Sequence, residues 1–387
     1  MNFELAEEQR MFRDAVRGIA ERHCRAGAVA RAHAPTMPMD IARLFAANGL
    51  MGITIPEADG GQGGSLMDAV IAIEEVAMVC PRSADVIQAG TFGPIRTLAA
   101  FGSPAQKARY LPALLAGEAL ISLGMSEPEA GSAVTDLTTS ATPDGDGWRV
   151  NGSKVFGTHS AEADTFLIYA RFGPGIDGIG SLLLERGMPG LTVGEVSTFM
   201  NGDTWSALYF DNVAITSEHV LLGPGGFRQQ MSGFNAERIG NTARSLAFGR
   251  HAYEAARDHA KTRKQFGRPL CEFQGLQWKF ADMYLKLEAG RLLLYRAAAS
   301  ADKGLPNADE TALAKLFCNE AGYEVCDQAV QIMGATGFSQ ELLVEYCLRK
   351  TRGWRIAGGT SEMMRNRLAE SIFERRFSQR PPRPAKA

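Results

Sequence analysis

The sequence predicts an α+β chain built of three successive parts: an N-terminal helical domain, a middle antiparallel, barrel-like β domain and a C-terminal helical bundle. Three observations lead there. From Glu7 to about Gly117 apolar residues recur with helical spacing. Between about Leu120 and Leu222 the spacing changes to strand-like alternation. Beyond Pro224-Gly225-Gly226 the helical period returns and runs nearly to the end. The 387 residues are enough for two or three domains at roughly 150 residues each. With 45% hydrophobic and 22% charged residues, the balance is that of a folded globular chain.

Taken in order, Met11, Phe12, Val16, Ile19 and Ala20 fall on one face of a first helix, and Met67, Val70, Ile71, Ile73 and Val76 repeat the pattern between Leu66 and Val79. Pro56-Glu57-Ala58-Asp59-Gly60-Gly61 reads as a loop between them. Ile121, Leu123 and Met125 alternate with Ser122, Gly124 and Ser126, as in a strand with two unlike faces. The run from Trp148 to Phe156 predicts a hairpin turning at Asn151-Gly152, a pair suited to a type I′ turn. Strands are expected at Thr165 to Arg171, Ser181 to Leu184 and Ala207 to Phe210. A formal GxGxxG at Gly173, Gly175 and Gly178 lies between two such runs, with Pro174 inside and no helix after it. It reads as a strand connection, not a dinucleotide fingerprint. Helices are expected over 227–262, 272–303, 309–333, 341–354 and 363–373, and long helices with short links suggest a bundle. Domain limits follow at 1–118, 119–226 and 227–377, with a Pro-rich, basic, frayed tail at 378–387.

Composition excludes several classes. Lys and Arg number 41 against 43 Asp and Glu, so a net charge of −2 gives no basic field for nucleic acid or an anionic membrane. The six cysteines (24, 80, 271, 318, 326, 347) form no CxxC pair and no zinc-ligand spacing, which predicts buried free thiols and no metal site. The amino terminus is acidic without an apolar signal core, and no 18-residue apolar run occurs. The expectation is a soluble, cytoplasmic protein. No P-loop, HExxH or GxSxG motif is present, and the scattered histidines suggest no catalytic partner.

What remains is a set of four segments. Ser126-Glu127-Pro128-Glu129-Ala130-Gly131-Ser132 follows the first strand of the middle domain and offers hydroxyls and backbone N–H groups. The others are Arg263-Lys264-Gln265-Phe266-Gly267 with Phe273-Gln274, Gln331-Ile332-Met333-Gly334-Ala335-Thr336-Gly337-Phe338, and Gly359-Thr360-Ser361-Glu362. Singly they read as a turn, a solvated helix end and a helix C-cap. In this order and spacing they resemble the acyl-CoA dehydrogenase family of flavoproteins, over about residues 3 to 374. The resemblance implies an FAD-binding homotetramer that oxidises acyl-CoA and passes electrons to an electron-transfer flavoprotein. By motif, Leu123, Met125, Ser126, Gly131 and Ser132 would line the flavin and the start of the acyl-CoA channel. Ser126 stands where Thr is usual. Phe156-Gly157-Thr158 matches the usual Trp-Ile-Thr/Ser, with Phe in place of Trp. Arg263, Gln265, Phe273 and Gln274 would hold the pyrophosphate and adenine side, with Phe266 packing nearby. Gln331, Ile332, Gly334 and Ala335 would come from a neighbouring subunit, Ala335 replacing a usual Gly. Thr360, Ser361 and Glu362 would complete the site.

The resemblance also implies a carboxylate that removes an α-proton while a hydride leaves the β-carbon for the flavin, because a thioester α C–H is a very weak acid. Most members carry it directly before Gly-Thr-Ser, where this chain has Gly358. Members similar to isovaleryl- and long-chain acyl-CoA dehydrogenases place it before an arginine on the first long C-terminal helix. That position is Glu237, followed by Arg238, with Asn235 toward the CoA side and Gly358 and Gly359 at the thioester. The absent side chain at Gly358 suggests room for bulk near the α or β carbon. Two branches share the Ala-Gly-Gly-Thr pattern. One resembles crotonobetainyl-CoA reductases. The other resembles acyl-CoA desulfinases, which have Gln at the place of Glu237 and an arginine where ungapped alignment gives Asp85 rather than Arg82. A silent flavin- or acyl-binding subunit is the reading from another class, and Glu237 discriminates against it. A carrier-protein thioester stays open as substrate.

Overall fold

A computed structural model describes residues 4–301 and 305–380. Seven helices come first: α1 (Glu7–His23), α2 (Ala28–His33), α3 (Met39–Ala47), α4 (Leu66–Val79), α5 (Pro81–Thr91), α6 (Pro94–Phe101) and α7 (Pro104–Leu115). Ser65 caps α4 by accepting from the Asp68 N–H while the Asp68 carboxylate takes the Ser65 N–H, a reciprocal capping box. α4 is enclosed on nearly every side, including at Glu74 and Glu75, so it runs through the core and not along one face of it.

The sheet contains β1 (Ile121–Gly124), β2 (Ser140–Asp144), β3 (Gly147–Lys154), β4 (Thr165–Arg171), β5 (Ile179–Glu185), β6 (Leu191–Thr198), β7 (Thr204–Ile215) and β8 (Val220–Leu222). Its hydrogen-bonded order is β6-β7-β3-β2-β4-β5-β8, with β1 added to β4. Most ladders are antiparallel as expected, but β1 pairs β4 in parallel, and so does β2 through Ser140 and Arg171. Alternation encodes faces and not strand direction, so the sequence could not signal this. The hairpin expected at Asn151-Gly152 is not there. Those residues lie inside β3, and the turn is at Asp144 to Gly147, between β2 and β3. Gly152 (φ 139°) marks a register shift against β7, and a Cβ on it would lie 2.6 Å from Thr139 Oγ1. The GxGxxG segment joins β4 to β5 as expected.

α8 (Phe227–Thr262), the short strands β9 (Lys264–Gln265) and β10 (Arg268–Pro269), α9 (Gln274–Ala299), α10 (Ala308–Met333), α11 (Ala335–Phe338), α12 (Val344–Trp354) and α13 (Ser361–Ile372) follow. The expected helix end at residue 303 falls outside the described residues. So does the tail beyond residue 380. Within the tail's described part, Arg380 donates to Thr135 Oγ1 at 2.9 Å and pairs with Asp136 at 2.7 Å.

Two layers result. N- and C-terminal helices share one apolar core, in which Phe45, Val70, Ile73 and Ile87 join Ile239, Phe248, Val325 and Tyr346. In the sheet, Leu167 and Tyr169 of β4 face α6 and α7, whereas Phe166, Ile168 and Ala170 face the opposite core. The 36-residue α8, about 54 Å long, links the layers. Phe227 in its first turn meets the Tyr169 ring edge-on at 5.8 Å. Further along, a Cβ on Gly322 of α10 would lie 2.4 Å from Ser245 O, so the two helices cross at backbone contact. Five cysteines are buried free thiols as expected; Cys271 is half-buried.

Candidate active site

Glu237 and Asn241 are one turn apart on α8 and therefore share a face. The Asn241 amide donates from Nδ2 to Glu237 Oε1 at 3.2 Å. Glu237 Oε2 is shielded from solvent and has no hydrogen-bond partner. Burial pushes this carboxyl above its ordinary range, against the opposing pull of Arg244, Gln88, Asn241 and Lys315. Arg238 donates from Nε to Gly358 O at 3.0 Å and from Nη1 to Asn235 Oδ1 at 2.7 Å. The structure thus gathers Glu237, Arg238, Asn235, Gly358 and Gly359 in one place. The room expected beside Gly358 is partly filled: a Cβ there would lie 3.0 Å from Asn241 Nδ2. The N–H groups of Gly358 and Gly359 meet no acceptor among the described residues. Behind the loop, Lys315 and Asn319 of α10 both donate to Trp354 O, at 2.9 and 2.8 Å, which fixes the chain entering it.

An ionic cluster lies behind Asn241. Arg244 donates to Asn241 Oδ1, pairs with Asp85 at 2.7 Å and covers the Trp354 ring at 4.8 Å. Asp85 also pairs with Lys350 (2.7 Å) and Arg82, and Asp203 with both Lys350 (2.6 Å) and Arg82. Helix α5, the loop entering β7 and helices α8 and α12 therefore meet at one buried charge network. Arg82, 1% exposed, is consumed by it.

The middle-domain segment forms a second group. Val155 N–H donates to Ser126 O at 2.9 Å, and Ser122 Oγ to Thr158 O at 2.8 Å, so the Leu123 to Ser132 turn and Phe156-Gly157-Thr158 lie side by side. Beneath them Lys154 pairs with Glu127 at 2.7 Å, both enclosed. Ser122 and Gly124 are buried, and the half-exposed Leu123 and Met125 pack against the apolar cluster of α6 and α7. Phe156 is 56% exposed, holds φ +60° and packs on Trp205 at 4.6 Å. A third group, Arg263, Gln265, Phe266, Phe273 and Gln274, surrounds the β9–β10 hairpin. Phe266 is 94% exposed, and Arg268 lies over Phe273 at 4.2 Å. Gln331, Gly334 and Ala335 are exposed at the C-terminal end of α10, but Ile332 is a core residue, so only its backbone is available there. Thr360 caps α13 by accepting from Met363 N at 3.2 Å; Ser361 is buried and Glu362 exposed.

These residues fit a flavin nucleotide. A Cβ on Gly131 or Gly334 would meet nothing within 4 Å, and Gly334 (φ 61°, ψ −138°) takes a conformation reserved for glycine. Backbone open to solvent, exposed aromatic rings and a helix N-terminus suit a planar ring system with a pyrophosphate. A cavity of about 640 Å³ lies elsewhere, between α1, α4, α8 and α9. Several of its arginines are paired with carboxylates, such as Arg17 with Glu75 and Arg291 with Glu288. No described helix is long and apolar enough to cross a membrane.

Models for the N-terminal, middle and C-terminal domains of acyl-CoA dehydrogenase match residues 6–118, 122–213 and 224–373. The chain is 33% identical to 3-sulfinopropanoyl-CoA desulfinase of Paraburkholderia xenovorans, over 98% of this chain and 99% of that protein. It is also 33% identical to the short-chain-specific acyl-CoA dehydrogenase of Clostridium acetobutylicum, over 96% and 100%. The FAD complex of PigA superposes with a TM-score of 0.91 at 27% identity, over 96% of this chain and 99% of that one. The chain belongs to the acyl-CoA dehydrogenase family of FAD-dependent oxidoreductases.

Sequence reasoning missed Asn241, Lys315, the Glu127–Lys154 pair and the Asp85–Asp203 cluster. Only Asn241 left a usable signal, its one-turn spacing from Glu237.

Proposed function

We propose that the chain desaturates an acyl-CoA thioester between its α and β carbons to the trans-2-enoyl product, with Glu237 as the base. One observation carries this reading: Glu237 has one oxygen held by Asn241 and the other shielded and unpartnered, beside the Arg238–Gly358 contact. FAD, when bound, supplies the acceptor for the β-hydride. Glu237 Oε2 takes the α-proton, and burial brings the carboxyl nearer to a working pH. The unpaired Gly358 and Gly359 N–H groups can hold the thioester oxygen as charge develops on it. Electrons then leave to an electron-transfer flavoprotein. A homotetramer would let the exposed Gln331, Gly334 and Ala335 segment complete a neighbour's site.

The desulfinase reading has a 33% identical relative behind it. Against it stand Glu237 itself and Arg82, whose guanidinium is enclosed between Asp85 and Asp203 and cannot grip an acidic substrate. The test is anaerobic mixing of the flavin-loaded protein with a panel of acyl-CoA thioesters, following flavin absorbance, with Glu237→Gln alongside. Bleaching by a saturated thioester, slowed about 10²- to 10⁴-fold in the variant, is the expected result. Bound FAD that no saturated thioester bleaches would discard the desaturase in favour of the reductase, the lyase or the silent subunit.

A further inference from the structure

Glu237 and Gly358 come from distant parts of the chain, yet one side chain bonds the first and borders the side-chain space of the second. Asn241 is 4% exposed, and its two amide atoms have separate duties. Oδ1 accepts from Arg244, whose guanidinium is clamped between Asp85 at 2.7 Å and the Trp354 ring. The amide therefore cannot flip without setting its NH₂ against a guanidinium. Nδ2 is left aimed at Glu237 Oε1 (3.2 Å), and it lies 3.0 Å from where a Cβ of residue 358 would be.

We propose that Asn241 is a positioning residue that assigns the carboxylate to residue 237. Its amide orients Glu237 with Oε2 free, and the same amide fills the space that a side chain at residue 358 would need. This rests on the reading of Glu237 as the base. The charged and polar groups facing that carboxyl are Arg238, Asn241 and Arg244 of α8, Gln88 of α5 and Lys315 of α10, with Asp85 behind Arg244. Among them, Arg238 holds the carbonyl of residue 358 and Lys315 passes its Cε 3.6 Å from where a Cβ there would be, but the nearest group to that position, and one that also bonds the Glu237 carboxylate, is the Asn241 amide. The two base positions thereby compete: a side chain at 358 presses on the amide that holds the carboxylate at 237 in place.

Three readouts test this on the flavin-loaded protein. In thermal unfolding, Gly358→Ala should lower Tm by several degrees more with Asn241 present than in an Asn241→Ala background. The backbone cost of a side chain at φ +70° is common to both backgrounds and cancels. Additive Tm changes would overturn the steric half. Asn241→Leu keeps bulk but removes the donor, and should move the acid limb of the rate of flavin bleaching upward by about one pH unit. A merely structural role would lower the rate at every pH and leave the midpoint in place, and an unmoved midpoint overturns the orienting half. Finally, Gly358→Glu added to Glu237→Gln should be at least about tenfold faster in the Asn241→Ala background than with Asn241. Equal rates refute the competition. If Glu237→Gln alone keeps the wild-type rate, the base reading has failed, and the unfolding cycle still decides the steric claim by itself.

Discussion

Arg238 Nε donates to the carbonyl of Gly358 at 3.0 Å, joining α8 to the loop before α13 across 120 residues of sequence. The arginine is itself held by Asn235 Oδ1 and lies 5.7 Å from the Phe234 ring. The residue next to the proposed base thus anchors the loop whose free N–H groups would hold the thioester oxygen in the proposed reaction. Arg238→Met keeps the apolar stem and removes the anchor. The expected outcome is a tenfold to hundredfold fall in kcat/KM, on the order of what an ångström of misplacement costs, with unchanged flavin content. Steady-state kinetics with the flavin-to-protein absorbance ratio check it; an unchanged kcat/KM would show that the loop holds its shape without Arg238.

The pH dependence follows from the same site. Burial holds the Glu237 carboxyl above its ordinary value of 4.5, against the pull of Arg244, Gln88 and Asn241. The base acts ionised, so kcat/KM should rise with pH through a midpoint above 4.5. Stability should move the other way. A raised folded pKa means that the native state binds more protons than the unfolded state, so this contribution is present at low pH and lost as pH rises through the folded value. Glu237→Gln removes both effects. A kcat/KM profile with no limb above 4.5 would contradict the assignment.

The periodicity of the chain shows where helices give way to strands and back, and α8 is found at Phe227–Thr262 as expected. Its failures share a cause. Asn-Gly is a strong local turn signal, yet at Asn151-Gly152 the pairing of β3 with both β2 and β7 overrides it, and the glycine serves a close approach to Thr139. β1 joins β4 in parallel, which no alternation can encode. Glu237 and Gly358 could be named from motif positions, but Asn241 matters because α8, α10 and the residue 358 loop converge on it. The ionic cluster was invisible for the same reason: Asp85 and Asp203 look like surface charges until three parts of the fold close over them.

That cluster makes its own prediction. Burial alone would raise the Asp203 pKa, but Lys350 and Arg82 outweigh it and hold the carboxyl well below the usual carboxylate range. The depressed folded pKa contributes stability that is complete at neutral pH and lost as pH falls through the acid range. Asp203→Asn strands the enclosed Lys350 and Arg82 with Asp85 as their remaining carboxylate. A loss of about 3–5 kcal/mol at neutral pH is expected, because breaking a buried ion pair leaves charge uncompensated. Urea unfolding of wild type and variant measures it, and a loss under about 1 kcal/mol would mean the network relaxes around the gap.

Beneath the flavin-side turn, Glu127 and Lys154 form a pair of which neither member reaches solvent. Glu127 also accepts from Thr138 N and Thr139 N, at 2.6 and 2.9 Å, and Lys154 donates to Met125 O at 3.3 Å. The pair therefore fixes both ends of the Met125 to Thr139 segment. Lys154→Met should lower stability by about 3–5 kcal/mol and weaken FAD retention. Gel filtration followed by the ratio of flavin to protein absorbance tests the second effect; a variant that retains its flavin in full would confine the pair to a folding role.

Far from the site, Tyr295 OH of α9 donates to Glu74 Oε2 of α4 at 2.7 Å, deep between the N- and C-terminal helices. Burial pushes the Glu74 carboxyl up to about 7, despite the Tyr295 hydrogen bond and the nearby Arg250. The protonated form therefore dominates in the native state where the unfolded chain is already ionised. The native state binds the extra proton, so stability falls as pH rises from the ordinary value of 4.5 to about 7. The full contribution is on the order of 3 kcal/mol for a shift of this size. Glu74→Gln keeps an acceptor for Tyr295 and cannot ionise, so its stability should not decline over this interval. Urea midpoints for both proteins at about pH 5 and about pH 8 give the comparison. Parallel curves would place the Glu74 carboxyl in the ordinary range and leave Tyr295 to a charged partner.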